Sequence, residues 1–509
     1  MPRDGRRLRA RLRELDSPLL DQPDRVGVVL AAGHGKRIRS DTSKMLHEIW
    51  GRPTVVRVAD AVADGLESPN QLLVVGIKAE EVADHLGARP GRRFAYQENP
   101  VLGLPAGTGD AVRVALDHFD PPPEGRDRQV YIFPGDMGLL TENVVVHFRR
   151  AFESEPCDMM VLTGLYDGPP EQNYYGRIVR VPPVDADGGD AGEDAGRVIA
   201  IKENGDILGL PEGGCEELVY RGRRYVFSRR ELLETREINT LVVCFRESAL
   251  RAHIGAMDTD NVQGELMITD LVEIFNGHGL VVRAVPAANG DEILGFNVKS
   301  VWRRMEAIAR RRAYERLMDI VTIVDDEDFY LADEVIEQIV ALDKDRGPLD
   351  IVIGKGASVG AGVQLDRRVH LGDRCELSGR VILGEGVRIG AGVRLSTYPR
   401  QAMVLEEGVE VLDRSVLKGH TVVGAGSRIE SGVIMTGSDE HPMHVGRGVT
   451  VKGTTYLYGC RIDDGVLVEH SVIKTRRVRR VTRADGSVQP VRYVLPQPEG
   501  LDSVAALGD

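Results

Sequence analysis

The chain has 509 residues, 42% of them hydrophobic, which is enough for roughly two to four domains with buried cores. A formal net charge of -13 argues against general nucleic-acid binding, and no apolar run approaches the ~18 residues of a membrane span. Five widely spaced cysteines without a C-x-x-C pair favour reduced thiols in the cytoplasm over disulfides or zinc sites.

Residues 1–24 form an Arg-rich arm at the amino terminus. The arm lacks the apolar segment of a secretory signal, and its acidic residues are atypical of a transit peptide. We predict a surface helix or a loose arm, with a contact to a partner or a polyanion as the alternative.

The next stretch joins an apolar strand to a Gly-x-Gly-x-Arg turn. Residues 26–31 are typical of a buried parallel strand, and Gly33 and Gly35 in the turn allow backbone N–H groups to approach an anion. Arg37 and Lys44 add cationic side chains behind the turn. Because neither the P-loop spacing nor the dinucleotide-binding spacing is met, the stretch predicts a different cradle, suited to a triphosphate.

Strands and helices alternate from residue 25 to about residue 315. This alternation predicts βαβ units and a mostly parallel sheet, in which ligands lie at the carboxyl ends of the strands. The predicted strands are 26–31, 71–76, 130–133, 158–165 and 280–284, and the predicted helices include 54–66 and 80–85.

Three short stretches within this region contain candidate residues for the site. Gly107 and Thr108 open a predicted helix whose first N–H groups suit a phosphate or a nucleotide edge, although a plain turn is the commoner use of Gly-Thr-Gly. Asp136 ends an apolar strand, where a carboxylate either caps the next turn or holds Mg²⁺ together with substrate phosphates. Asn297, alone more typical of a turn, offers a second oxygen ligand if it pairs with Asp136.

Leu30 to Arg37 match the L-A-A-G-x-G-x-R signature of the sugar-1-phosphate nucleotidyltransferases, and Lys44 matches the lysine that follows it. The chain most closely resembles the uridyltransferase half of the bifunctional N-acetylglucosamine-1-phosphate uridyltransferase / glucosamine-1-phosphate acetyltransferase family. This resemblance implies a Rossmann-like nucleotidyltransferase domain over residues 25–318, with Mg²⁺ as the cofactor. One departure is Ser43, since the family has proline there.

The resemblance also implies a role for each residue that matches a family motif. Further short matches are Y-G-R-I around Gly176, E-x-x-D from Glu203 and E-I-N-T around Asn239. The implied catalytic residues are Arg37 and Lys44; the nucleotide-binding residues are Leu30, Ala31, Ala32, Gly33, Gly35, Gln97, Gly107 and Thr108; the sugar-binding residues are Gly176, Glu203, Asn239 and Thr269; and the Mg²⁺ ligands are Asp136 and Asn297.

The chain departs from the family pattern mainly on the sugar side. Leu241 replaces a glycine, and Leu266 and Met267 replace paired tyrosines, which leaves the identity of the sugar open. The stretch between Gln97 and Gly107 is also several residues longer than in the family.

Two segments add length within the domain. Residues 183–196 are acidic, Gly-rich and nearly free of large apolar residues, which predicts a disordered loop. Residues 209–236 form a second excursion that the family lacks, and the sequence offers no functional interpretation of it.

After a predicted linker, residues 319–349, apolar residues begin to recur every six positions. This period predicts a β-helix of hexapeptide repeats over residues 350–474, followed by a surface tail over residues 475–509. The first repeats place apolar residues at Ile353, Val359, Leu365, Leu371, Leu377, Leu383, Ile389 and Leu395. The resemblance, and not the period, implies that this parallel β-helix is left-handed.

The family's acetyltransferase site needs a basic histidine in a run resembling N-Y-D-G-x-x-K, and no such run follows residue 350. The loop that carries His441 and His444 is typical of a solvated excursion. We therefore do not expect acetyltransferase activity, and we interpret the β-helix as an oligomerisation or regulatory module, with a homotrimer favoured.

Three functions remain open at this point. The leading hypothesis is Mg²⁺-dependent attack of N-acetylglucosamine-1-phosphate on UTP to give UDP-N-acetylglucosamine. The second keeps this chemistry with another base or sugar, such as glucose-1-phosphate, dTTP or GTP. The third is a non-catalytic protein that binds a nucleotide-sugar and regulates a partner. The expected ligands are thus a nucleoside triphosphate and a sugar-1-phosphate, and neither nucleic acid nor a membrane is expected as a partner.

Overall fold

The computed structural model describes residues 3–33, 36–104, 106–118, 122, 125–345 and 347–496. The chain divides into two compact units, Met1–Glu306 and Ala307–Asp509. Among the described helices, none combines the length and the hydrophobicity needed to cross a bilayer.

The first unit contains helices that alternate with the strands of one large sheet. Its helices are α1 (Arg3–Leu15), α2 (Thr54–Leu66), α3 (Ala79–Leu86), α4 (Asn99–Leu102), α5 (Thr108–Leu116), α6 (Glu142–Ser154), α7 (Asn204–Gly209), α8 (Arg229–Glu234), α9 (Glu247–His253), α10 (Leu271–Gly277) and the start of α11 (Lys299–Leu317). Its strands are β1 (Arg25–Ala31), β2 (Glu48–Ile49), β3 (Arg52–Pro53), β4 (Gln71–Val75), β5 (Arg92–Tyr96), β6 (Gln129–Pro134), β7 (Met159–Leu165), β8 (Arg177–Arg180), β9 (Val198–Lys202), β10 (Cys215–Tyr220), β11 (Arg223–Ser228), β12 (Glu237–Arg246) and β13 (Val282–Pro286).

The large sheet has the strand order β13-β7-β12-β6-β1-β4-β5, and β8 and β9 extend it beside β12. β1 pairs in parallel with β4 and β6, whereas β12 runs antiparallel to β6 and β7. Val29 and Ala31 of β1 belong to one buried apolar cluster and Val26 and Val28 to another, so both faces of the sheet are covered. The predicted α/β fold with a mostly parallel sheet is confirmed.

β1 is the strand at which the strand order reverses. The chain passes from β1 to β4 and β5 on one side and then crosses to β6 on the other side. In open α/β sheets, ligands bind in the crevice outside the carboxyl ends of the strands at such a reversal. The loops that follow Ala31 and Pro134 therefore border the expected crevice.

The amino-terminal arm is a docked helix, which is one of the two predicted alternatives. Helix α1 buries Leu12 and Leu15 in the apolar cluster on one face of the sheet. On its polar side, the Arg9 guanidinium lies 2.8 Å from a carboxylate oxygen of Glu98 and 5.5 Å from the centroid of the Tyr96 ring. The arm thus contributes to the core of the first unit.

The two segments that lengthen the domain pack together as a small lobe on β8 and β9, here called the inserted lobe (residues 181–197 and 204–236). It contains α7, the antiparallel hairpin β10–β11 and α8, whose first turn is capped reciprocally by Ser228 and Glu231. Its apolar core is formed by Val179, Val181, Ala191, Ile199, Ala200, Ile207, Leu218, Tyr220, Tyr225 and Leu232.

The prediction that residues 183–196 are disordered is wrong. The Asp185 carboxylate accepts hydrogen bonds from the N–H groups of Asp187 and Gly189, and Val184 forms a β-bridge with Asp190. Ala186 N also donates to the carbonyl oxygen of Arg224 in the β10–β11 hairpin at 2.8 Å. The segment is ordered by side chain to backbone hydrogen bonds and by the neighbouring hairpin, neither of which depends on apolar residues of its own.

The second unit is built from short strands, one coil after another. Its helices are the end of α11 and α12 (Asp333–Asp345). Its strands are β14 (Thr322–Ile323), β15 (Tyr330–Leu331), β16 (Val352–Ile353), β17 (Ser358–Val359), β18 (Gln364–Leu365), β19 (His370–Leu371), β20 (Glu376–Ser378), β21 (Val381–Leu383), β22 (Arg388–Ile389), β23 (Arg394–Ser396), β24 (Met403–Leu405), β25 (Glu410–Val411), β26 (Val416–Gly419), β27 (Thr421–Val423), β28 (Arg428–Ile429), β29 (Ile434–Gly437), β30 (Met443–Val445), β31 (Thr450–Lys452), β32 (Tyr456–Tyr458), β33 (Arg461–Ile462), β34 (Leu467–Glu469), β35 (Val472–Lys474), β36 (Arg477–Val478) and β37 (Val491–Arg492).

Three parallel sheets form the sides of the β-helix, and successive hexapeptides visit them in turn. Ile353, Val359 and Leu365 lie in three different sheets, and Leu371 returns to the first, directly beside Ile353. These apolar side chains are buried, which explains why one residue of each hexapeptide must be aliphatic. The predicted β-helix of hexapeptide repeats is confirmed.

The β-helix extends beyond residues 350–474 at both ends. β14 and β15, within the predicted linker, pair with β16 and β17, and β37, within the predicted tail, pairs with β34. Helix α12 lies beside β18, where the Gln338 side chain donates to Leu365 O at 2.7 Å and accepts from Leu365 N at 3.2 Å. The hexapeptide period misses this first coil because a helix stands in place of its third strand.

Candidate active site

The loops that follow β1 and β6 meet at the carboxyl edge of the sheet. Gly135 N donates to Leu30 O at 2.9 Å, and a Cβ on Gly135 would lie only 3.0 Å from the same oxygen. A larger residue at this position would displace one of the two loops. Gly135 therefore allows Asp136 to lie beside the end of β1.

Lys44 links the two residues predicted as Mg²⁺ ligands. Its Nζ forms an ion pair with Asp136 and donates a hydrogen bond of 2.7 Å to Asn297 Oδ1. The Lys44 side chain is only 9% exposed, so a carboxylate and an amide oxygen compensate for the loss of water around its charge. Residues that are far apart in the sequence are thus brought to one point.

Ser43 stands where the resembled family has proline, yet the backbone conformation is the one that proline would impose. Its φ is −54° and its ψ is 137°, within the range that the proline ring fixes. Ser43 O accepts a hydrogen bond of 2.9 Å from Leu46 N, which begins the short 3-10 helix Lys44–Leu46. The loop presents Lys44 without needing the proline.

The donor atoms around Lys44 suit Mg²⁺. Asp136 offers a carboxylate and Asn297 an amide oxygen, both hard ligands, and a Cβ on Gly295 would lie only 3.2 Å from Asp136 Oδ1, so the glycine keeps the space beside the carboxylate open. Among the described residues there is no group of three or more His, Cys, Asp or Glu side chains that would hold a metal ion by themselves. Two protein ligands, completed by water and substrate phosphates, are typical of Mg²⁺ in phosphoryl-transfer sites.

Gln97 lies at the end of β5 with its side chain fixed on one side. Its Nε2 donates to Gly107 O at 3.1 Å and to Asp110 Oδ2 at 2.8 Å, and because both partners are acceptors, the orientation of the amide is determined. The residue also lines the cavity at this end of the site. Toward a ligand in this cavity, the Gln97 side chain therefore presents its amide oxygen, which is a hydrogen-bond acceptor.

The Gly107-Thr108-Gly109 run docks a second segment of the chain. Gly107 has a φ of 105°, and a Cβ there would lie 2.4 Å from Leu266 O. Gly109 N donates to Leu266 O at 2.8 Å, and Thr108 Oγ1 accepts from Ile268 N at 3.1 Å. The run is therefore more than a plain turn, because it fixes the segment that carries Thr269.

Three predicted sugar-binding residues are joined on the other side of the site. Asn239 N donates to Gly176 O at 2.9 Å, which pairs the start of β12 with the start of β8. A Cβ on Gly176 would lie 3.0 Å from Glu203 Oε1, so the absence of a side chain leaves room for that carboxylate. Gly176, Glu203 and Asn239 therefore form one wall of the site.

Leu241 occupies a position that favours glycine, as the resembled family has it. Its φ is 63°, in the left-handed region, and the register of β12 shifts between Asn239 and Val243. A non-glycine residue in this region costs of order 1–2 kcal/mol. Leu241 N donates to Asn239 Oδ1 at 2.9 Å, which fixes the Asn239 side chain.

Glu203 lies in a negative environment. Burial raises the pKa of Glu203 to about 7, and the neighbouring carboxylates of Asp206 and Asp270 add to the shift. Arg177 opposes it, but the guanidinium is engaged with the carbonyl oxygens of Asn173 and Tyr175. The carboxyl therefore lacks a dedicated counter-ion.

Two cavities meet around the Lys44 cluster. The nucleotide cavity, about 500 Å³, and the acceptor cavity, about 740 Å³, share Arg37, Pro134, Asp136, Glu203, Leu241 and Asn297. The predicted residues that line the nucleotide cavity are Leu30, Ala32, Gly33, Arg37, Lys44, Gln97, Gly107, Thr108, Asp136, Glu203, Thr269 and Asn297. Gly176 and Asn239 line the acceptor cavity.

Two of the predicted site residues are not among the described residues that line the two cavities. The Ala31 side chain is buried in the apolar cluster behind β1, on the opposite face of the sheet from Leu30. Gly35 lies outside the described residues. The remaining predicted positions converge on the carboxyl edge of the sheet, as the strand pattern required.

Sequence reasoning missed several residues of the acceptor cavity. Tyr166 and Tyr175 line it with their ring centroids 6.3 Å apart, and Arg304 of α11 lines it from another direction. Tyr166 directly follows β7, so the strand-end argument that found Asp136 also applies to it. Arg304 has no comparable signal, because it lies within helix α11 and no motif or strand end marks it.

Comparison with known proteins supports a shared ancestry for the first unit. Residues 27–260 match the family model of the MobA-like NTP transferase domain. The bifunctional protein GlmU of Clostridium tetani is 31% identical over 311 residues, which cover 61% of this chain and 58% of that protein. The bifunctional protein GlmU of Heliobacterium modesticaldum is 30% identical over 355 residues, covering 68% of this chain and 66% of that protein.

The match to these relatives is partial, since the chain spans less than two thirds of the length of each of them. Among solved structures, the inositol-1-phosphate CTP transferase from T. maritima aligns with 55% of this chain and 96% of its own, at 10% identity and a TM-score of 0.35. Residues 27–260 therefore match a nucleotidyltransferase domain, and over the part that it shares with these proteins the chain is similar to the GlmU proteins.

Proposed function

We propose that the protein is a Mg²⁺-dependent sugar-1-phosphate nucleotidyltransferase. In the proposed reaction, a phosphate oxygen of the sugar-1-phosphate forms a bond to the α-phosphorus of a nucleoside triphosphate. The bond from that phosphorus to the bridging oxygen of the β-phosphate breaks, and pyrophosphate leaves with the electron pair. The observation that carries this proposal is the Lys44, Asp136 and Asn297 cluster between the nucleotide and acceptor cavities.

The residues of the first loop and of the Lys44 cluster would act by position and charge. Arg37 lines both cavities and is suited to the departing β- and γ-phosphates. Lys44 would neutralise the α-phosphate, exchanging its contact with Asp136 for one with the substrate. Asp136 and Asn297 would hold Mg²⁺, which when bound stabilises negative charge on the phosphates.

The reaction needs neither a covalent intermediate nor a protein base. The attacking phosphate oxygen is already ionised at neutral pH, so catalysis consists of in-line positioning and stabilisation of charge. This agrees with the composition of the Lys44 cluster, in which Asp136 is engaged by an ammonium ion and so is unsuited to abstract a proton.

UTP and N-acetylglucosamine-1-phosphate are the proposed first substrates. Their support is the resemblance of the motifs around Gly33, Gly176 and Asn239 to the uridyltransferase half of the bifunctional family. The acceptor character of Gln97 agrees with the N–H group of a uracil or thymine ring, and this residue alone does not separate UTP from dTTP. The same chemistry with another base or sugar is the second candidate, since Leu241, Leu266 and Met267 depart from the family pattern on the sugar side.

The test is Mg²⁺-dependent pyrophosphate release from the full chain, with UTP, dTTP, GTP, CTP and ATP each combined with a panel of sugar-1-phosphates. Release with UTP and N-acetylglucosamine-1-phosphate supports the first pair, and release with another pair replaces the substrates but keeps the chemistry. Silence across the panel, together with binding of a nucleotide-sugar, would favour a regulatory binding protein and overturn the proposed enzyme.

The second unit is proposed to serve as an oligomerisation module, with a homotrimer favoured and no acetyltransferase activity. Parallel β-helices built from hexapeptides present flat sides that suit association. The mass of the protein in solution, measured by light scattering, tests the trimer, and acetyl transfer from acetyl-CoA to glucosamine-1-phosphate would contradict the second part.

A further inference from the structure

A third cavity, of about 700 Å³, adjoins the nucleotide cavity and meets the acceptor cavity at Glu203, which lines all three. It shares Glu203, Met267 and Thr269 with the nucleotide cavity. Its polar lining is dominated by carboxylates, and we call it the acidic cavity. These carboxylates belong to Glu203, Asp206, Glu216, Asp258, Asp260, Asp270 and Glu273, and Lys202 is the one cation among the described lining residues.

Part of the acidic cavity is built where this chain departs from the family that it resembles, whereas Glu203 and Thr269 in its lining match family motifs. The inserted lobe supplies one wall through Leu210, Glu216 and Leu232, all within the segment 209–236 that the family lacks. At the boundary with the nucleotide cavity stands Met267, a flexible side chain where the family has a tyrosine. An altered acceptor is therefore expected to use this space.

The charges of the acidic cavity are unbalanced. Lys202 is already engaged, since its Nζ lies 2.9 Å from carboxylate oxygens of both Glu216 and Glu273. Within the described part of the chain, the carboxylates of Glu203 and Asp270 have no hydrogen bond and no ion pair. A cation brought to this cavity would gain attraction without having to displace an existing partner.

A buried hydroxyl group gives independent support for a ligand. Thr269 is 3% exposed, lines both the acidic and the nucleotide cavities, and its Oγ1 has no hydrogen-bond partner in the described part of the chain. Thr269 Oγ1 is not one of the fully enclosed side-chain atoms that lack a partner, so the hydroxyl group faces the cavity, where it can form a hydrogen bond with a ligand. A ligand bound there would lie where the acidic and the nucleotide cavities meet.

An organic cation suits these carboxylates better than a metal ion held by the protein alone, because no group of three or more His, Cys, Asp or Glu side chains in the described residues is close enough to hold one. The carboxylates are instead spread over the walls of a cavity large enough for part of a small molecule. A protonated amine donates several hydrogen bonds and can be shared among carboxylates that do not converge on one point.

We propose that the acidic cavity receives a protonated amino group on the acceptor, so that the acceptors of this enzyme are amino-sugar 1-phosphates rather than their N-acetylated forms. The inference rests on the proposed nucleotidyltransferase function and develops its second candidate, the same chemistry with another sugar, so it replaces N-acetylglucosamine-1-phosphate as the proposed acceptor. It also fixes the orientation of the bound acceptor: the phosphate would lie at Lys44 and the ammonium group at Asp270 and Glu203. A neutral acetamido group would leave both carboxylates without a counter-ion.

The electrostatics of the empty cavity agree with this assignment. Burial raises the pKa of Asp270 to about 6, and Glu273 and Asp258 raise it further, whereas Lys202 lowers it. Glu203 is shifted in the same direction for the same reasons. An ammonium group within the cavity would favour the ionised form of both carboxyls.

The test compares matched acceptors in the pyrophosphate-release assay, with the nucleotide that supports release. Each amino sugar is paired with its N-acetylated form: glucosamine-1-phosphate, and the glucose-1-phosphates with an amino group at the other ring positions or on the exocyclic carbon. We expect at least one amino sugar to exceed its N-acetylated form in kcat/KM by about tenfold or more, as a buried charge pair requires. A preference for the neutral member of every pair would overturn the inference.

Variants that remove one carboxylate charge test whether the acidic cavity is where the amino group binds. Asp270→Asn, with Asp206→Asn as a second variant if the first does not fold, should reduce the ratio of kcat/KM for amino over N-acetylated acceptor about tenfold. Glu193→Gln, which removes an exposed carboxylate of the inserted lobe outside the cavity, should leave the ratio unchanged. An unchanged ratio in both cavity variants would contradict the assignment of the amino group to this cavity.

The same assay distinguishes failure of the acidic-cavity inference from failure of the proposed nucleotidyltransferase function. Release with neutral acceptors but with no amino sugar keeps the nucleotidyltransferase function and overturns the acidic-cavity inference. No release with any pair overturns both, because the inference depends on the function.

Discussion

The two ends of the site are built on different principles. At the nucleotide end, glycines and backbone groups from β1 and α5 lie beside Arg37 and Lys44, and the motif residues that the sequence analysis named line the cavity. In the acidic cavity beside the acceptor end, carboxylates dominate, and part of the wall comes from the inserted lobe. The difference teaches that a triphosphate imposes the same requirements on any such enzyme, whereas the acceptor end varies with the molecule that it receives.

This polarity also orients the acceptor. A sugar-1-phosphate carries its negative charge at one end. Arg37 lines both the nucleotide and the acceptor cavities and Lys44 lines the nucleotide cavity, so the phosphate is expected beside these two cations. The carboxylates at the other end repel a phosphate. Substitutions at the two ends can test this contrast. Their expected effects range from a large loss of turnover to a loss of stability of about one hydrogen bond.

The largest effect is expected from Asp136→Ala at the nucleotide end. The change removes the carboxylate that pairs with Lys44 and is proposed to hold Mg²⁺, so turnover should fall by about 10²- to 10³-fold or more. Pyrophosphate release under saturating substrates measures the loss. An unchanged thermal melting curve serves as the control for folding, and near-normal rates in the folded variant would remove Asp136 from the site.

The next largest effect is expected from Gly107→Ala. The position has a φ of 105°, and the added Cβ would lie 2.4 Å from Leu266 O, so the two segments must separate, at a cost of roughly 2–4 kcal/mol in the free energy of unfolding. The matched control is Gly103→Ala in the same loop, where φ is 68° but no atom lies within 4 Å, for which we expect about 1 kcal/mol. Equal losses in denaturant unfolding of the two variants would show that the contact with Leu266 is unimportant.

A smaller effect concerns the pH dependence of stability at the acceptor end. The pKa of Glu203 is raised from its ordinary value of 4.5 to about 7, so between these values the folded state binds more protons than the unfolded state. This carboxyl therefore lowers the free energy of unfolding as the pH rises from about 4.5 to about 7, by of order 1–3 kcal/mol.

Glu203→Gln removes that titration. Compared with the unchanged protein, the variant should gain stability as the pH rises through this window, which thermal or denaturant unfolding at several pH values would reveal. Parallel pH profiles for the two proteins would mean that the Glu203 carboxyl is not perturbed.

The smallest effect is expected from Thr108→Val. The change keeps the shape of the side chain but removes the oxygen that accepts from Ile268 N, which should cost about 1 kcal/mol of stability and raise the KM for the nucleotide. Thr108→Ser keeps the hydroxyl group and should retain most of the stability. If the serine variant loses as much as the valine variant, the hydrogen bond is not what stabilises this contact.

The residues that were predicted for the nucleotide end lie together in the structure because their sequence signals are local. A strand, a glycine turn and a polar residue at a strand end are adjacent in the chain, and parallel pairing then brings Gly33, Gln97 and Asp136 to one edge. The partnership of Lys44 with Asn297 spans 253 residues and could be expected only through the family resemblance.

The acceptor end was predicted less completely for the opposite reason. The walls of the acidic cavity come from β9, the inserted lobe and the segment 256–274, and no motif marks their meeting. Residues 183–196 were expected to be disordered because they lack large apolar side chains, but Asp185 and the neighbouring hairpin hold them through hydrogen bonds. The amino-acid composition of a segment does not show the hydrogen bonds that it forms with other segments of the chain.

The Gln338 side chain has a consequence for how the second unit avoids unwanted association. The first strand of each side of a β-helix exposes unpaired backbone groups, which invite strands of other molecules to add to it. With its amide group, Gln338 occupies both the N–H and the carbonyl oxygen of Leu365, as a neighbouring strand would. One glutamine on a helix thus closes an edge that would otherwise be a template for aggregation.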